Sequence, residues 1–328
     1  MAQIGGIRSF EFLEIPNHAK VAGLGTVNIS AGLGDINMVN QNPALLDSLM
    51  DNDFSLTIAP YFADIINTQL NYAKTFKKIG ILHFGLFYQS FGTFEGYDNT
   101  GQATIDFNAG NYLLSIAHSR QEGVFSYGIN MKIASTQLST MQTTALLFDL
   151  GGIFQHPRAD FTAGLTIKNI GVYLRKEAEE DRNLPFDIQL GTSFKPEFMP
   201  FRFSLTLNRL YQYDISYFQA VLTDENDPFL NVADNAPTSF DKIFQHFTIG
   251  TELLLGKNLS LRAGYNHLIR QSLKRADNGG AGGFTFGIDF QTKKINLAYS
   301  NAIYQVAGAA HFITVGTNFN SILKRKTS

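Results

Sequence analysis

The stretch "FSYGINMKI" (Phe125–Ile133) decides the fold. Phe125, Tyr127, Ile129, Met131 and Ile133 fall on one side of an extended chain; Ser126, Gly128, Asn130 and Lys132 fall on the other. Successive side chains of a strand point to opposite faces, so this pattern makes a ribbon with one apolar and one polar face. It also approaches the ~9–11 residues that a tilted strand needs to cross a bilayer.

The same alternation returns in "FDIQL" (Phe186–Leu190), "FRFSLTLN" (Phe201–Asn208), "LSLRAGYN" (Leu259–Asn266) and "FTFGIDF" (Phe284–Phe290). Extended along the chain, it predicts about fourteen strands. The first seven are 53–63, 65–76, 79–90, 110–120, 122–138, 142–156 and 160–173. The second seven are 184–195, 199–211, 242–255, 257–270, 280–291, 293–304 and 308–319. Every second connection is short ("KKIG", "RQEG", "HPRAD", "KPEFMP", "GKN", "QTKK"), whereas the alternate set includes the long segments 91–109, 172–183, 211–241 and 269–279. Tight turns on one rim and long loops on the other are the asymmetry of an outer-membrane barrel.

Composition agrees. Of the 328 residues, 44% are hydrophobic but only 16% are charged, below the roughly one quarter usual in soluble domains. A net charge of −2 argues against a dedicated nucleic-acid binder. With Cys 0 there is no disulfide framework, thiolate zinc site or thiol nucleophile. No run offers the ~18 apolar residues of a spanning helix. Ala2-Gln3 resembles the junction left by signal removal, which predicts a mature N-terminus near Gln3.

In lipid every backbone N–H and C=O needs a partner, so a spanning sheet must close on itself. Its polar set then faces the lumen. Lys132, Asp187, Arg202, Glu252, Arg262 and Asp289 fall on that set. Their balanced signs predict ion pairs across the lumen; scattered charges in a wetted bore are the plainer alternative. Tyr61, Phe62, Tyr88, Phe91, Tyr173, Tyr211, Tyr213 and Phe319 lie near strand ends, where an interfacial girdle is expected.

Residues before Asp53 do not alternate. Gly23-Leu24-Gly25 lacks the third glycine of a dinucleotide fingerprint, and no βαβ unit follows. Asn42-Pro43-Ala44 occurs once and without spanning helices, so it is not a pore filter. Asp35 and Asn37 can accept from free N–H groups at a short helix start. Asn42 is placed to cap a second helix, "PALLDSLM", with Pro43 at its first position. Asn37, Asn42, Pro43 and Ala44 thus mark a compact plug motif. A barrel of about fourteen strands is too wide for wall side chains to fill, so a plug in the lumen is expected. The architecture is all-β: an antiparallel transmembrane β-barrel (53–320), an N-terminal plug or hatch with short helices (1–52), and a short basic tail (321–328). The expected location is the outer membrane of a Gram-negative bacterium, with the long loops outside.

No catalytic constellation emerges, so the chain is not expected to be an enzyme or to carry a cofactor. The seven His make no HxxxH pair, and there is no G-x-S-x-G elbow. Glu177, Glu179, Glu180 and Asp181 crowd one loop and suit a solvated surface. Asp224 and Asp227, with Asp234 nearby, are weak candidates for a hard cation, because EF-hand spacing is lacking. "NGGAGG" (Asn278–Gly283) has no Lys to make a phosphate loop. Connections as long as 211–241 are usually functional or disordered. This one mixes Tyr217, Phe218, Phe229 and Leu230 with acidic residues, as a partner-binding loop does. Phe94 and Tyr97 in "GTFEGYD" (Gly92–Asp98) form a second candidate surface on the same rim; loops folded over the barrel mouth are the alternative.

A Gly-rich hatch, an Asn-Pro-Ala segment and about fourteen strands resemble the FadL-type outer-membrane proteins, which carry hydrophobic molecules inward. "GGIRSFEFLEIPNHAKVAGLG", "VNQNPALL", "FGTFEGYDNTG", "LPFDIQLGTSFKPEFMPFRFSLTLNRL" and "HFTIGTELLLGKNLSLRAGYN" are similar, more narrowly, to PorQ-like proteins, relatives of PorV in the type IX (Por) secretion system. That resemblance implies a non-enzymatic part in a cell-surface attachment complex, anchoring a PorZ-like surface protein near the sortase PorU and PorV, where cargo is joined to lipopolysaccharide. Two functions stay open: this surface anchor, and a transporter of hydrophobic small molecules.

Overall fold

The computed structural model describes residues 8–61, 65–98, 100–177, 182–215, 238–273, 282–305 and 308–323. These form fourteen strands: β1 (Asp53–Pro60), β2 (Ile66–Phe76), β3 (Gly80–Phe94), β4 (Phe107–Glu122), β5 (Phe125–Leu138), β6 (Met141–Gln155) and β7 (Asp160–Arg175), then β8 (Asp187–Lys195), β9 (Phe201–Leu207), β10 (Phe247–Leu255), β11 (Leu259–Asn266), β12 (Phe284–Gln291), β13 (Ile295–Gln305) and β14 (Gly308–Asn318). Each pairs antiparallel with its neighbours in sequence, and β1 pairs with β14 from Asp53↔Asn318 to Ile58↔Ile313, which closes the barrel. The expected fold class, a closed antiparallel barrel of about fourteen strands preceded by short helical turns, is what the structure shows. Closure leaves no sheet edge, as a hydrocarbon surrounding demands.

The faces sort as the alternation requires, but inside out. On β5 the apolar Ile129 and Ile133 are 44% and 40% exposed, while Asn130 and Lys132 between them are 1% and 5% exposed. The polar face is the buried one because residues 8–52 lie against it. On the short-turn rim, six connections of two to five residues join the strands: 77–79, 123–124, 156–159, 196–200, 256–258 and 292–294. The opposite rim carries 95–106, 176–186, 208–246 and 267–283.

Several expected boundaries move. Residues 242–246 do not extend β10; they belong to α2 (Ser239–Phe244) and the turn after it, started by a capping box between Thr238 and Asp241. Likewise 267–270 fall in α3 (His267–Ser272), capped by the Asn266 side chain. Aromatic and aliphatic residues in both places prolong the apolar pattern without prolonging the strand. β14 stops at Asn318 and is followed by α4 (Phe319–Leu323); most of the basic tail (324–328) lies outside the described residues.

Before β1 come α1 (Ala19–Gly23) and four short 3₁₀ turns. The single helix expected over "PALLDSLM" is two of these turns, Pro43–Leu45 and Ser48–Met50, each with its own cap, Asn42 and Asp47. Asp47 competes for the N–H of Leu49 (3.0 Å) and restarts the chain instead of letting it continue as helix. Tyr61 and Tyr173 are not part of a lipid-facing girdle. Tyr61 packs on the inward-facing Phe312, and Tyr173 on Phe10 of the N-terminal segment.

Candidate functional site: the plugged lumen

The Asn42-Pro43-Ala44 turn rests on a socket of wall glycines. Asn42 is fully buried. Its Oδ1 accepts from Ala44 N–H at 3.0 Å, and its Nδ2 donates to the carbonyls of Ile29 (3.2 Å) and Gly152 (3.3 Å). Beneath it, Gly128 and Gly151 are direct partners across β5 and β6. A Cβ on Gly128 would stand 2.4 Å from the Pro43 carbonyl carbon, and one on Gly151 would stand 2.1 Å from Asn42 Oδ1. Only glycine lets plug backbone and wall come this close. On the far wall Gly264 plays the same part, since its Cβ would lie 2.1 Å from the Gly25 nitrogen.

Asn37 has a different role from the expected helix cap. Asp35 takes the cap, accepting from Asn37 N–H at 3.0 Å. Asn37 Oδ1 instead accepts from Ser55 Oγ (2.5 Å) and Asn71 Nδ2 (3.1 Å), stitching the plug to β1 and β2. Asn71 Oδ1 in turn accepts from Asn40 (2.8 Å).

The six lumen charges separate into groups. Glu252 lies opposite Arg202 on β9 and Arg262 on β11. Arg262 Nε donates to Glu252 at 3.1 Å, and its Nη2 lies 3.2 Å from Asp289. Arg202 lies 3.6 Å from Glu252 and 2.9 Å from Asp160 near the short-turn rim. Four of the six therefore form one ladder across β9–β12. Lys132 stands apart and pairs with Asp149 at 2.6 Å, with Asn169 also accepting from it. Asp187 belongs to neither group; it accepts from Gln189 and from the backbone N–H of Arg209, both at 2.6 Å. Asp149 escaped the sequence reading because Ala145 and Leu147 precede it on the inward face and blur the alternation.

That blurring marks the second feature of the lumen. Toward its long-loop half the inward positions turn apolar: Phe87, Leu113, Ala134 and Leu147 cluster there, with Leu184 of the β7–β8 loop beside them. The N-terminal segment covers this patch. Phe12 stacks on Phe87 at 5.7 Å with the rings 4° from parallel, and Phe10 packs on Phe12 and Tyr173 at 6.1 Å. A polar clasp holds the segment down. Glu14 pairs with Arg8 (2.8 Å) and with Arg209 (2.6 Å) of the β9–β10 loop, and Ser9 N–H donates to Asn183 O (3.1 Å). Arg8 also donates to the Tyr211 hydroxyl. Sequence reasoning missed Phe10, Phe12 and Glu14, because a chain without periodicity carries no sign of which side chains face a wall.

Of the expected partner surfaces, Phe94 ends β3 and stacks on Phe107 (5.4 Å), while Tyr97 is exposed and donates to Glu95 (2.6 Å). Tyr217, Phe218, Phe229 and Leu230, and the acidic Asp224, Asp227 and Asp234, lie outside the described residues, as does most of "NGGAGG". Glu177 accepts from Gln142 N–H (3.0 Å); Glu179, Glu180 and Asp181 are outside the described set. Among the described residues no group of three or more His, Asp or Glu could hold a metal.

No known family profile matches the sequence, and no curated protein matches it. Solved structures do. The toluene transporter TodX of Pseudomonas putida superposes with a TM-score of 0.53 at 14% identity, over 95% of this chain and 98% of that one. A deltaS2 mutant of TodX, a monoaromatic hydrocarbon channel, gives 0.48 at 14% identity over 93% and 97%. A FadL homologue from Pseudomonas aeruginosa gives 0.44 at 10% identity over 92% and 98%. The first of these shows the class of fold: this chain shares the closed, fourteen-stranded antiparallel barrel of TodX.

Proposed function

We propose that the protein is an outer-membrane channel for hydrophobic small molecules, with its long loops outside. The observation that carries this is the apolar inward surface of β3–β6 beneath Phe10 and Phe12, where Phe87, Leu113, Ala134 and Leu147 gather in the long-loop half of the lumen. Phe87 and Leu147 are packed against the N-terminal segment, with Leu113 beside them, so a solute that reaches this surface takes the place of Phe10 and Phe12. A hydrophobic solute leaving water gains about 25 cal/mol per Å² of apolar surface that it buries there, and ligand sites are characteristically apolar with a few polar groups. The fold shared with the toluene transporter TodX supports the same reading. The test is uptake of a radiolabelled monoaromatic hydrocarbon by cells whose own hydrocarbon channels are deleted. Expression of this chain should raise the initial rate, and Phe87→Asp should abolish the gain while the barrel still inserts. Uptake equal to that of the empty vector ends the reading.

A second reading is the surface anchor implied by the PorQ-like resemblance. The close seating of the plug on Gly128, Gly151 and Gly264 favours it, because a wall filled that tightly makes a firm pedestal for loops gathered on one rim. Pull-down with residues 216–237 deleted separates the two. Loss of a PorZ-like partner, and with it PorU, PorV or lipopolysaccharide, supports the anchor. Retained partners with lost hydrocarbon uptake support the channel.

A further inference from the structure

At the long-loop rim, α2 turns an apolar face away from the protein. Phe240, Ile243 and Phe244 stand at i, i+3 and i+4, which places them on one side of the helix, and they are 61%, 47% and 37% exposed. The opposite side is tied down. Asp241 closes the capping box with Thr238 and accepts from Gln271 (2.5 Å) and His267 (3.3 Å) of α3. Burial works against the Asp241 carboxylate, yet hydrogen bonds from Thr238 and His267 hold its pKa below the ordinary value. Lys242 pairs with Asp214 at 2.7 Å. The helix is therefore pinned with its aromatic side outward.

That side continues the outer face of the barrel without a break. Phe240 stacks on Phe244 at 4.0 Å, and Phe244 stacks on Phe247 at 5.3 Å. Phe247 opens β10 in the outward register shared with the exposed Ile249. Next to this file, Tyr265 and Phe284 are cross-strand partners with rings 5.0 Å apart, and His267 bridges them to Phe244 at 6.0 and 6.1 Å.

We propose that α2 is a membrane-interface foot, its Phe240–Ile243–Phe244 face lying among the upper acyl chains of the leaflet on the long-loop side. The occupant is lipid and not a second protein, because the patch is continuous with the lipid-facing belt and is built of aromatic residues at the end of that belt, where they favour the interface. A short amphipathic helix with its polar side satisfied internally has the form of an interfacial element. The foot fixes the end of the 208–246 loop to the membrane plane beside β10. The inference rests on the reading of the barrel as membrane-spanning.

The sequence has Trp 0 and Tyr 13, so Phe240→Trp creates a sole tryptophan, read by excitation at the red edge where tyrosine does not absorb. In bilayers containing phospholipid brominated near the top of the acyl chain, its emission should be blue-shifted, quenched by the bromolipid and shielded from acrylamide. Ile249→Trp supplies the lipid reference on the belt and Ile105→Trp, at a residue 90% exposed in the β3–β4 loop, the aqueous one. Phe244→Trp is the second probe should the first variant fail to fold, which heat-modifiable gel migration reveals. Quenching of Phe240→Trp by acrylamide to the level of Ile105→Trp overturns the proposal. Access by neither quencher also overturns it, since protein then covers the face. Failure of bromolipid to quench Ile249→Trp would show instead that the membrane reading itself is wrong.

Discussion

Asn42 satisfies three backbone groups from two segments of plug and one wall strand, with no exposure to solvent. Loss of such a cap costs about 0.5–2 kcal/mol, and each buried group left unpaired costs roughly 1–3 kcal/mol more. Asn42→Ala should therefore lower unfolding stability in detergent by a few kcal/mol, read as a lower midpoint in urea with unchanged slope. An unaltered midpoint would mean that the cap is idle. His18, at the start of α1, is a second sensitive residue. Among the described residues neither of its ring nitrogens has a hydrogen-bond partner. Burial is the largest cause holding its pKa down to about 3 from 6.5, with Lys20 and Arg262 adding to the effect and Asp35 opposing it. The unfolded chain takes up this proton first, so the His18 contribution to stability is whole above pH 6.5 and is lost as pH falls from 6.5 toward 3. Melting temperature should fall across that window, and His18→Gln should flatten the fall. A profile identical in both proteins would remove His18 from the account.

Among the elements, the ladder over β9–β12 joins four strands that are short by the standard of β3–β7. Its centre, Glu252, faces two guanidinium groups. Removing one partner of a buried ion pair costs about 3–5 kcal/mol, because the remaining charge stays buried. Glu252→Leu should accordingly loosen β9–β12 more than β3–β6, and faster amide exchange confined to the former is the measurement; uniform exchange would contradict it. The elements were also where the sequence was most legible. Period two survives in β5, β9, β11 and β12 because an apolar outer surface and a polar plug inside set opposite chemistry on alternate residues. It fades on β6, where the apolar Ala145 and Leu147 face inward, and this loss of pattern is the trace left by the candidate hydrophobic site. The plug offered only its capping residues, because turns of three to five residues buried on all sides carry no face to read. Phe10 and Phe12 were invisible for that reason.

For the molecule as a whole, the plug spans the lumen from the clasp at Glu14 to the turn at Asp51, where the Asn52 carbonyl accepts from Phe319 N–H at 3.0 Å. A barrel of this width without filling is a wide aqueous passage. Deleting residues 8–40 should thus convert a closed or nearly closed protein into a conducting one in planar bilayers. Unchanged conductance would mean that the loops, not the plug, close the path.

The pairing of β1 with β14 also sets an order of assembly. Asp53 meets Asn318 only when nearly the entire chain has been made, and contacts between such distant residues form late because the loop they close is long. The plug precedes every strand, so it is on hand before the ring can shut. Its turns, docked on Gly128, Gly151 and Gly264, offer a former around which the growing sheet can curl, and the last strand acts as the latch. A chain cut before Gly308 should keep its hairpins but leave the plug open to protease.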